Sequence, residues 1–422
     1  MQDNPGGLDV QGMCWFRREV SLDILRPWRS NGREVESGVD PGGSGTLMAK
    51  LITTHGEFDL QRWPVRSREL LRAWDAADQY LLATVSENLP TSPLVINDVF
   101  GALSVALAHA QPVLWSDSHL TRLALAHNLR RCGRPADAVT FVPADTEPTG
   151  RHALVLARFP KSLAFWEDTL LRLRAHLEPG ARVLVGGMIK HTPRRAFELM
   201  EDILGPTTTG LGWKKARLAE AVFEDERGLP PCTPATSYDL TGHAITLRNG
   251  PNVFAREHLD VGTRALLPHL PGDLTGRAAD LGCGSGALAL ALARLNPDLE
   301  VLGVDESYQA VASARGNAAA AGLTEPRVRF EVADGLTETP RDTFDLVVCN
   351  PPFHQDRTVG DQLAWGMFKQ AERALVAGGR LLVVGNRHLA HSGRLERIFG
   401  GCRQLGETAK FEVLEAVRGG VL

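Results

Sequence analysis

The sequence predicts an α/β fold of two tandem doubly wound units produced by duplication, the first of them degenerate. Two observations carry this. Short apolar, β-branched runs such as RVLVGG (182–187), LEVLGVD (299–305), FDLVVCN (344–350) and RLLVVGN (380–386) alternate with longer Ala- and Leu-rich stretches of helical period, the pattern of parallel strands covered by helices on both faces. The chain also matches itself in order at four places, too many for chance resemblance among Ala-rich helices. GALSVALA (101–108) matches GALALALA (286–293), and VLWSDSHLTRLALAHNLRRCG (113–133) matches VLGVDESYQAVASARGNAAAAG (301–322), placing Asp117 opposite Asp305 and Asn128 opposite Asn317. VTFVPAD (139–145) then matches VRFEVAD (328–334), and ALVLARFPK (153–161) matches DLVVCNPPF (345–353).

Taken in order, residues 1–47 are rich in Gly, Pro, Ser and Arg without a sustained period, which predicts a disordered tail and makes Met48 a candidate start. Residues 48–204 form the first unit. A Gly-, Thr- and Pro-containing join is expected over 205–251, and the second unit over 252–422.

The totals restrict function before any motif is considered. The 422 residues carry a formal charge of −4 and no apolar run long enough to cross a bilayer, and the N-terminus lacks a signal-peptide pattern, so a cytoplasmic location is expected. Cys14, Cys132, Cys232, Cys283, Cys349 and Cys402 are scattered without CxxC or nearby histidine spacing, so reduced thiols and no metal site are expected. The negative total argues against indiscriminate nucleic-acid binding. Residues 151–217 nevertheless hold twelve Lys or Arg against six Asp or Glu, which leaves room for a specific basic face.

The chemistry concentrates in the second unit. In ADLGCGSGALALALA, Asp280 ends a strand and Gly282, Gly284 and Gly286 lead into a helix, so the backbone can turn sharply and approach a ligand. The spacing points to a nucleoside cofactor; a dinucleotide also satisfies it, with Asp305 at the distance expected of a ribose-binding acid. DLGCGSG resembles motif I of class I S-adenosylmethionine-dependent methyltransferases, which predicts two tandem Rossmann-like domains of that class. The resemblance assigns Asp280 to the methionine end of the cofactor, Asp305 to the ribose hydroxyls, and Asp334 with Gly335 to the adenine edge.

The run VVCNPPFH (347–354) stops a strand abruptly, because two prolines lock φ and remove donors. Asn350 then offers a side-chain carbonyl and Pro351 a backbone carbonyl, a fixed pair of acceptors for the two N–H bonds of a conjugated amine. Pro352 stiffens the loop and Phe353 can stack on the base. NPPF resembles motif IV of the amino-methyltransferases, whose substrates are adenine, cytosine, guanine or glutamine amide nitrogens. His354 is assigned a capping or phosphate-facing role, Cys349 packing, and Lys369, Arg373 and Arg387 no chemistry.

The first unit has lost these features. Arg158 stands opposite Asn350, and NDVFGAL keeps Gly101 without counterparts of Gly282 and Gly284. It is expected neither to bind the cofactor nor to transfer a methyl group. Its cations Arg158, Lys161, Lys190, Arg194 and Arg195, with Lys214, Lys215 and Arg217 of the join, are the candidates for RNA phosphate contacts.

RFPKSLAFWEDTLLRLRAHL, GPTTTGLGWKKARL, NVFAREHLDVGTRALL and CNPPFH together closely resemble the bacterial ribosomal RNA guanine-N2 methyltransferases, with the large-subunit (23S rRNA) branch favoured over the small-subunit (16S) branch. The resemblance runs from about Phe58 to the C-terminus. It implies S-adenosylmethionine as cofactor, Phe254, Asp260, Gly262 and Thr263 along its methionine part, and a guanine N2 amine held by Asn350 and Pro351 after eversion of the base. Rival readings are a release-factor glutamine-amide methyltransferase, a DNA adenine methyltransferase, an NAD-dependent enzyme, and a catalytically silent RNA-binding or assembly factor.

Overall fold

The computed structural model describes residues 50–66, 69–228, 235–352, 357–389 and 391–419, with the backbone alone over 357–361. The N-terminal tail, Cys14, Cys232, Phe353 and His354 lie outside the described residues.

Two repeats run through one compact unit. The first opens with the hairpin β1 (Leu51–Thr53) and β2 (Gly56–Phe58), then α1 (Ala76–Thr84), β3 (Leu94–Ile96), α2 (Ala102–Ala106), β4 (Val113–Ser116), α3 (His119–Arg131), β5 (Thr140–Pro143), β6 (His152–Arg158), α4 (Leu163–Leu173), β7 (Leu177–Met188), α5 (Arg194–Ile203), β8 (Thr207–Thr209) and β9 (Ala216–Val222). The second opens with the hairpin β10 (Thr236–Leu240) and β11 (Ile245–Asn249), then α6 (Val261–Leu266), β12 (Gly276–Leu281), α7 (Ala287–Leu295), β13 (Leu299–Asp305), α8 (Tyr308–Ala320), β14 (Val328–Val332), β15 (Phe344–Cys349), α9 (Arg357–Ala374), β16 (Leu375–Asn386), α10 (His391–Phe399), β17 (Arg403–Glu407) and β18 (Phe411–Val417).

Each repeat builds a seven-stranded sheet, in the orders β5-β4-β3-β6-β7-β9-β8 and β14-β13-β12-β15-β16-β18-β17, which correspond strand for strand. The first five strands of each pair in parallel, and the last two pairings are antiparallel, so that β9 and β18 alone run against the others in their sheets. Parallel strands covered on both faces read as continuous apolar runs, and β15 shows why: Leu346 and Val348 enter the core on one face while Val347 and Cys349 enter it on the other.

The expected join over 205–251 does not exist as a linker. Residues 207–222 complete the first sheet as β8 and β9, and residues 236–249 form the opening hairpin of the second repeat. Glycine and proline around TTT gave that short edge strand the look of a loop. The corresponding asparagines confirm that the hairpins are equivalent. Asn317 bonds both backbone groups of Arg248 and the carbonyl of Ser285, and Asn128 does the same with Gln61 and Phe100.

The repeats meet through equivalent turns. Ser118, after β4, forms an antiparallel bridge with Ser307, after β13. The Asp117 carboxylate accepts from Ser307 Oγ (2.6 Å), Asn252 Nδ2 (2.7 Å) and the Gln309 N–H (2.8 Å). The acid opposite the candidate ribose acid has thus become the clamp between the halves.

Candidate active site

Asp280 with the glycine loop, Asp305, Asp334 and Asn350 sit at the carboxyl ends of β12, β13, β14 and β15, where a doubly wound sheet places its ligand crevice. Gly282, Gly284 and Gly286 have φ of 82°, 53° and 90°, a region that side chains disfavour. The N–H groups of Gly282 and Cys283 both bond the Val304 carbonyl at 2.9 Å, tying the loop to the next strand. A Cβ built on Gly284 meets nothing within 4 Å, so the loop's surface there is open to a ligand.

Asp280 is 1% exposed. Its Oδ2 accepts the Ala289 N–H (3.0 Å) and so caps the first turn of α7, while its Oδ1 is buried without a partner. Burial, with a smaller contribution from Asp305, pushes its pKa to about 7. A buried carboxylate with one unmet oxygen fits a cationic ligand group. Asp305 accepts from the Gly284 N–H (2.9 Å) and the Ser307 N–H (3.0 Å), which fixes its carboxylate at the strand end with lone pairs to spare for two hydroxyls. Asp334 lies on the turn after β14, its carboxyl raised by burial against the opposing pull of His119 from the first repeat. Neighbouring Gly335, at φ 55°, has no room for a side chain: a Cβ there would lie 2.1 Å from Gln370 Oε1, the acceptor of the Leu336 N–H.

Asn350 ends β15. Its amide nitrogen donates to Asp260 Oδ2 (2.8 Å) and Thr263 Oγ1 (2.9 Å), and its Oδ1 is buried without a partner. Asp260 is the N-cap of α6 and also accepts the Thr263 N–H at 2.9 Å. With both donors engaged, the amide can present only its carbonyl to a substrate. Pro351 is buried and Pro352 exposed on the loop that follows. Gly262 is buried on α6, and Phe254 is 58% exposed on the segment before it. Sequence reasoning missed the support that Asp260 and Thr263 give to Asn350; a Ser/Thr/Asp-type cap at the start of α6 was the available signal. The Cys349 thiol is fully buried, with its pKa raised by burial and by Asp280, consistent with packing.

The first repeat closes this arrangement on itself. Arg158, at the place of Asn350, donates to Asp75 Oδ2 (2.7 Å) and to Asp78 Oδ1, and Asp75 is the N-cap of α1 as Asp260 is of α6. Burial works against the guanidinium's charge, but Asp78 and Asp75 more than offset it and raise its pKa. Arg158 is therefore an internal lock, and its expected role as a phosphate contact is withdrawn. The glycine loop is gone as well: Asp98 caps α2 through Ser104 (N–H at 2.8 Å, Oγ at 2.9 Å), but only two residues separate it from Gly101, whereas five separate Asp280 from Gly286.

The remaining cations of the first repeat stay at the surface. Lys161, Lys190 and Arg217 are exposed. Arg194 pairs with Glu198 (2.9 Å) and Arg195 with Asp202 (3.0 Å), which leaves them less free for phosphate. Lys214 and Lys215 hold left-handed backbone angles (φ 47° and 68°) in the β8–β9 loop, beside Trp213, whose ring lies 5.6 Å from that of Tyr80 and 4.5 Å from the Lys214 ammonium. Among the described residues, no group of three His, Cys, Asp or Glu side chains is arranged to hold a metal. No described helix is long and apolar enough to cross a membrane.

Residues 48–225 match the RLMG N-terminal domain and residues 244–415 the methyltransferase small domain. The ribosomal RNA large subunit methyltransferase G of Pseudomonas putida (strain GB-1) is 50% identical over 374 residues, covering 87% of this chain and 100% of that protein. The protein of the same name from Pseudomonas aeruginosa (strain UCBPP-PA14) is 49% identical over 376 residues, with 87% and 100% covered. The solved structure of the T. thermophilus 16S rRNA N2 G1207 methyltransferase in complex with AdoMet and guanosine aligns with a TM-score of 0.70 over 88% of this chain and 97% of that one, at 24% identity, and shares the fold. This chain belongs to the ribosomal RNA large subunit methyltransferase G family.

Proposed function

We propose that the protein transfers the methyl group of S-adenosylmethionine to the exocyclic N2 amine of a guanine in 23S rRNA, with residues 236–417 as the catalytic repeat and the first repeat as the RNA-binding one. The observation that carries this is the Asn350 amide: both N–H bonds are engaged by Asp260 and Thr263, and the carbonyl is buried with nothing to accept. An amine with two N–H donors satisfies that oxygen and the Pro351 carbonyl together.

S-adenosylmethionine supplies a methyl on a sulfonium, an electrophile that needs no protein nucleophile. The open surface over Gly284, the ribose-facing Asp305, Asp334 with Gly335, the unmet oxygen of Asp280 and the segment of Phe254 would hold it. The guanine N2 lone pair is delocalised into the ring and is a poor nucleophile until it is turned out of conjugation. Two fixed carbonyl acceptors on the N–H bonds impose that orientation, and orientation is most of what such a transfer requires. Phosphate contacts fall to Lys161, Lys190, Lys214, Lys215 and Arg217, with Trp213 as a ring surface for a base. A cytoplasmic location is consistent with a ribosomal RNA substrate.

The test is digestion of large-subunit RNA to nucleosides after incubation with enzyme and S-adenosylmethionine. N2-methylguanosine is the expected product; a methyl group on any other nucleoside atom contradicts the assignment.

A further inference from the structure

The first repeat has lost its own glycine loop, yet side chains of it stand beside the crevice of the second. Residues 61–66, between β2 and α1, run as a strap from α3 to α9. At one end the Gln61 N–H donates to Asn128 Oδ1 (2.9 Å), and Gln61 Oε1 lies 3.1 Å from His127 Nε2, both partners on α3. At the other end Arg66 donates to Gln362 Oε1 on α9. Trp63, in the middle, sets its ring 5.5 Å from that of His127. Its indole N–H is buried with no acceptor at full hydrogen-bond geometry, and the acceptor it approaches is the carboxylate of Asp334 in the second repeat.

The turn that carries Asp334 is fixed from several sides. The Ala333 N–H donates to the Asp305 carbonyl (2.9 Å), which ties the turn after β14 to the end of β13, and the Leu336 N–H donates to Gln370 Oε1 of α9 (2.9 Å). The first repeat is fastened to the same ledge. Glu306 directly follows Asp305; its carbonyl accepts the His119 N–H (2.8 Å) and its Oε2 accepts from Ser118 Oγ (2.5 Å). His119 Nδ1 then lies 3.4 Å from Tyr308 Oη. Burial disfavours the Asp334 carboxylate, while His119 and then the Trp63 indole favour it. A carboxylate has lone pairs for more than one donor, so an indole N–H on one side aims the remaining oxygen at a second donor.

We propose that Trp63 is a positioning residue of the cofactor site: its indole N–H holds the Asp334 carboxylate in the orientation that accepts the exocyclic amine of the adenine of S-adenosylmethionine. This rests on the reading of Asp334 as the adenine-facing acid. The repeat that lost its own crevice completes that of its neighbour, and the preference of the site for adenine depends on both.

The test uses the full-length protein with Trp63→Phe, which keeps a ring against His127 and removes the N–H. Titration calorimetry compares S-adenosylhomocysteine with its hypoxanthine counterpart, in which a carbonyl oxygen replaces the exocyclic amine. A carboxylate accepts from the amine and repels the oxygen, so the wild type prefers the adenine form on the order of a hundredfold. The variant is expected to lose about tenfold of that preference, through weaker binding of the adenine form. A preference retained in Trp63→Phe overturns the proposal, because a merely structural role moves both affinities together. Should Trp63→Phe misfold, replacement of Trp63 by benzothienylalanine, an isosteric ring with sulfur in place of the N–H, gives the same reading. A wild type that binds both forms equally overturns the assignment of Asp334 instead, which separates the two claims.

Discussion

Asn350 and Arg158 occupy the same place in the two repeats, and each is gripped by the N-cap and third residue of the helix that opens its sheet domain: Asp260 and Thr263 in one case, Asp75 and Asp78 in the other. The difference is what remains unmet. Around Asn350 a carbonyl oxygen is left to accept from a substrate; around Arg158 two carboxylates hold the guanidinium, and its buried Nε–H, a donor, is what stays without a partner.

If Asp260 works by aiming Asn350, Asp260→Ala lowers kcat by roughly 10²-fold, the usual cost of misplacing a reacting group by about an ångström, with cofactor affinity much less affected. Asp260→Asn keeps an oxygen that can accept from both Asn350 and the Thr263 N–H and restores most of the rate. Steady-state kinetics with saturating RNA distinguish these outcomes from a general loss of folding.

Arg158→Met leaves Asp75 and Asp78 facing each other without a cation. The expected cost is about 3–5 kcal/mol of stability in urea unfolding, as for other broken buried pairs. RNA affinity and its salt slope stay unchanged, since the guanidinium is spent inside the protein.

The strand alternation, the duplication and the loss of the glycine loop were all legible in the sequence, because apolar period and glycine spacing are local signals. The carboxyl-end crevice followed from them. What the sequence could not display were pairings over long separations. Arg158 looked like a surface cation because its partners lie 80 and 83 residues away. The join looked like a linker because a three-residue edge strand, β8, carries almost no periodicity. Asp117 showed in the sequence only as the counterpart of Asp305, whereas the fold uses it against Ser307, 190 residues on.

Asp117→Ala removes the acceptor of three donors, and unsatisfied buried donors cost about 1–3 kcal/mol each. Ser307 is shared between Asp117 and the candidate ribose acid Asp305, so the loss is expected to reach the cofactor site. Calorimetric titration should show S-adenosylmethionine binding weakened on the order of tenfold, within the usual range of coupling between sites. Unaltered affinity would mean that the clamp and the site are independent.

The raised pKa of Asp280 predicts opposite pH trends for stability and binding. Its folded value of about 7 exceeds the ordinary 3.8, so its contribution to stability is present below about pH 4 and is lost as pH rises through 7. A cation prefers the ionised carboxylate, so S-adenosylmethionine affinity should tighten between pH 6 and 8. Asp280→Asn should flatten both profiles, measured by urea unfolding and titration calorimetry.

Gly284→Ala tests the open surface of the loop. The new methyl meets no protein atom, so the fold bears only the strain of φ 53°, about 1 kcal/mol, while cofactor binding is lost to the occupied space. Thermal unfolding with and without S-adenosylmethionine checks this: the variant melts near wild type alone and gains nothing from the ligand.

The central claim is that the unmet carbonyl of Asn350 receives a guanine amine of large-subunit RNA. The most direct measurement is transfer of labelled methyl from S-adenosylmethionine to deproteinised large-subunit RNA, small-subunit RNA and release factor, for wild type and Asn350→Ala. Label appearing as N2-methylguanine in large-subunit RNA alone, and disappearing in the variant while cofactor binding persists, is the predicted result. Label on release factor or small-subunit RNA, or full activity in Asn350→Ala, would contradict it.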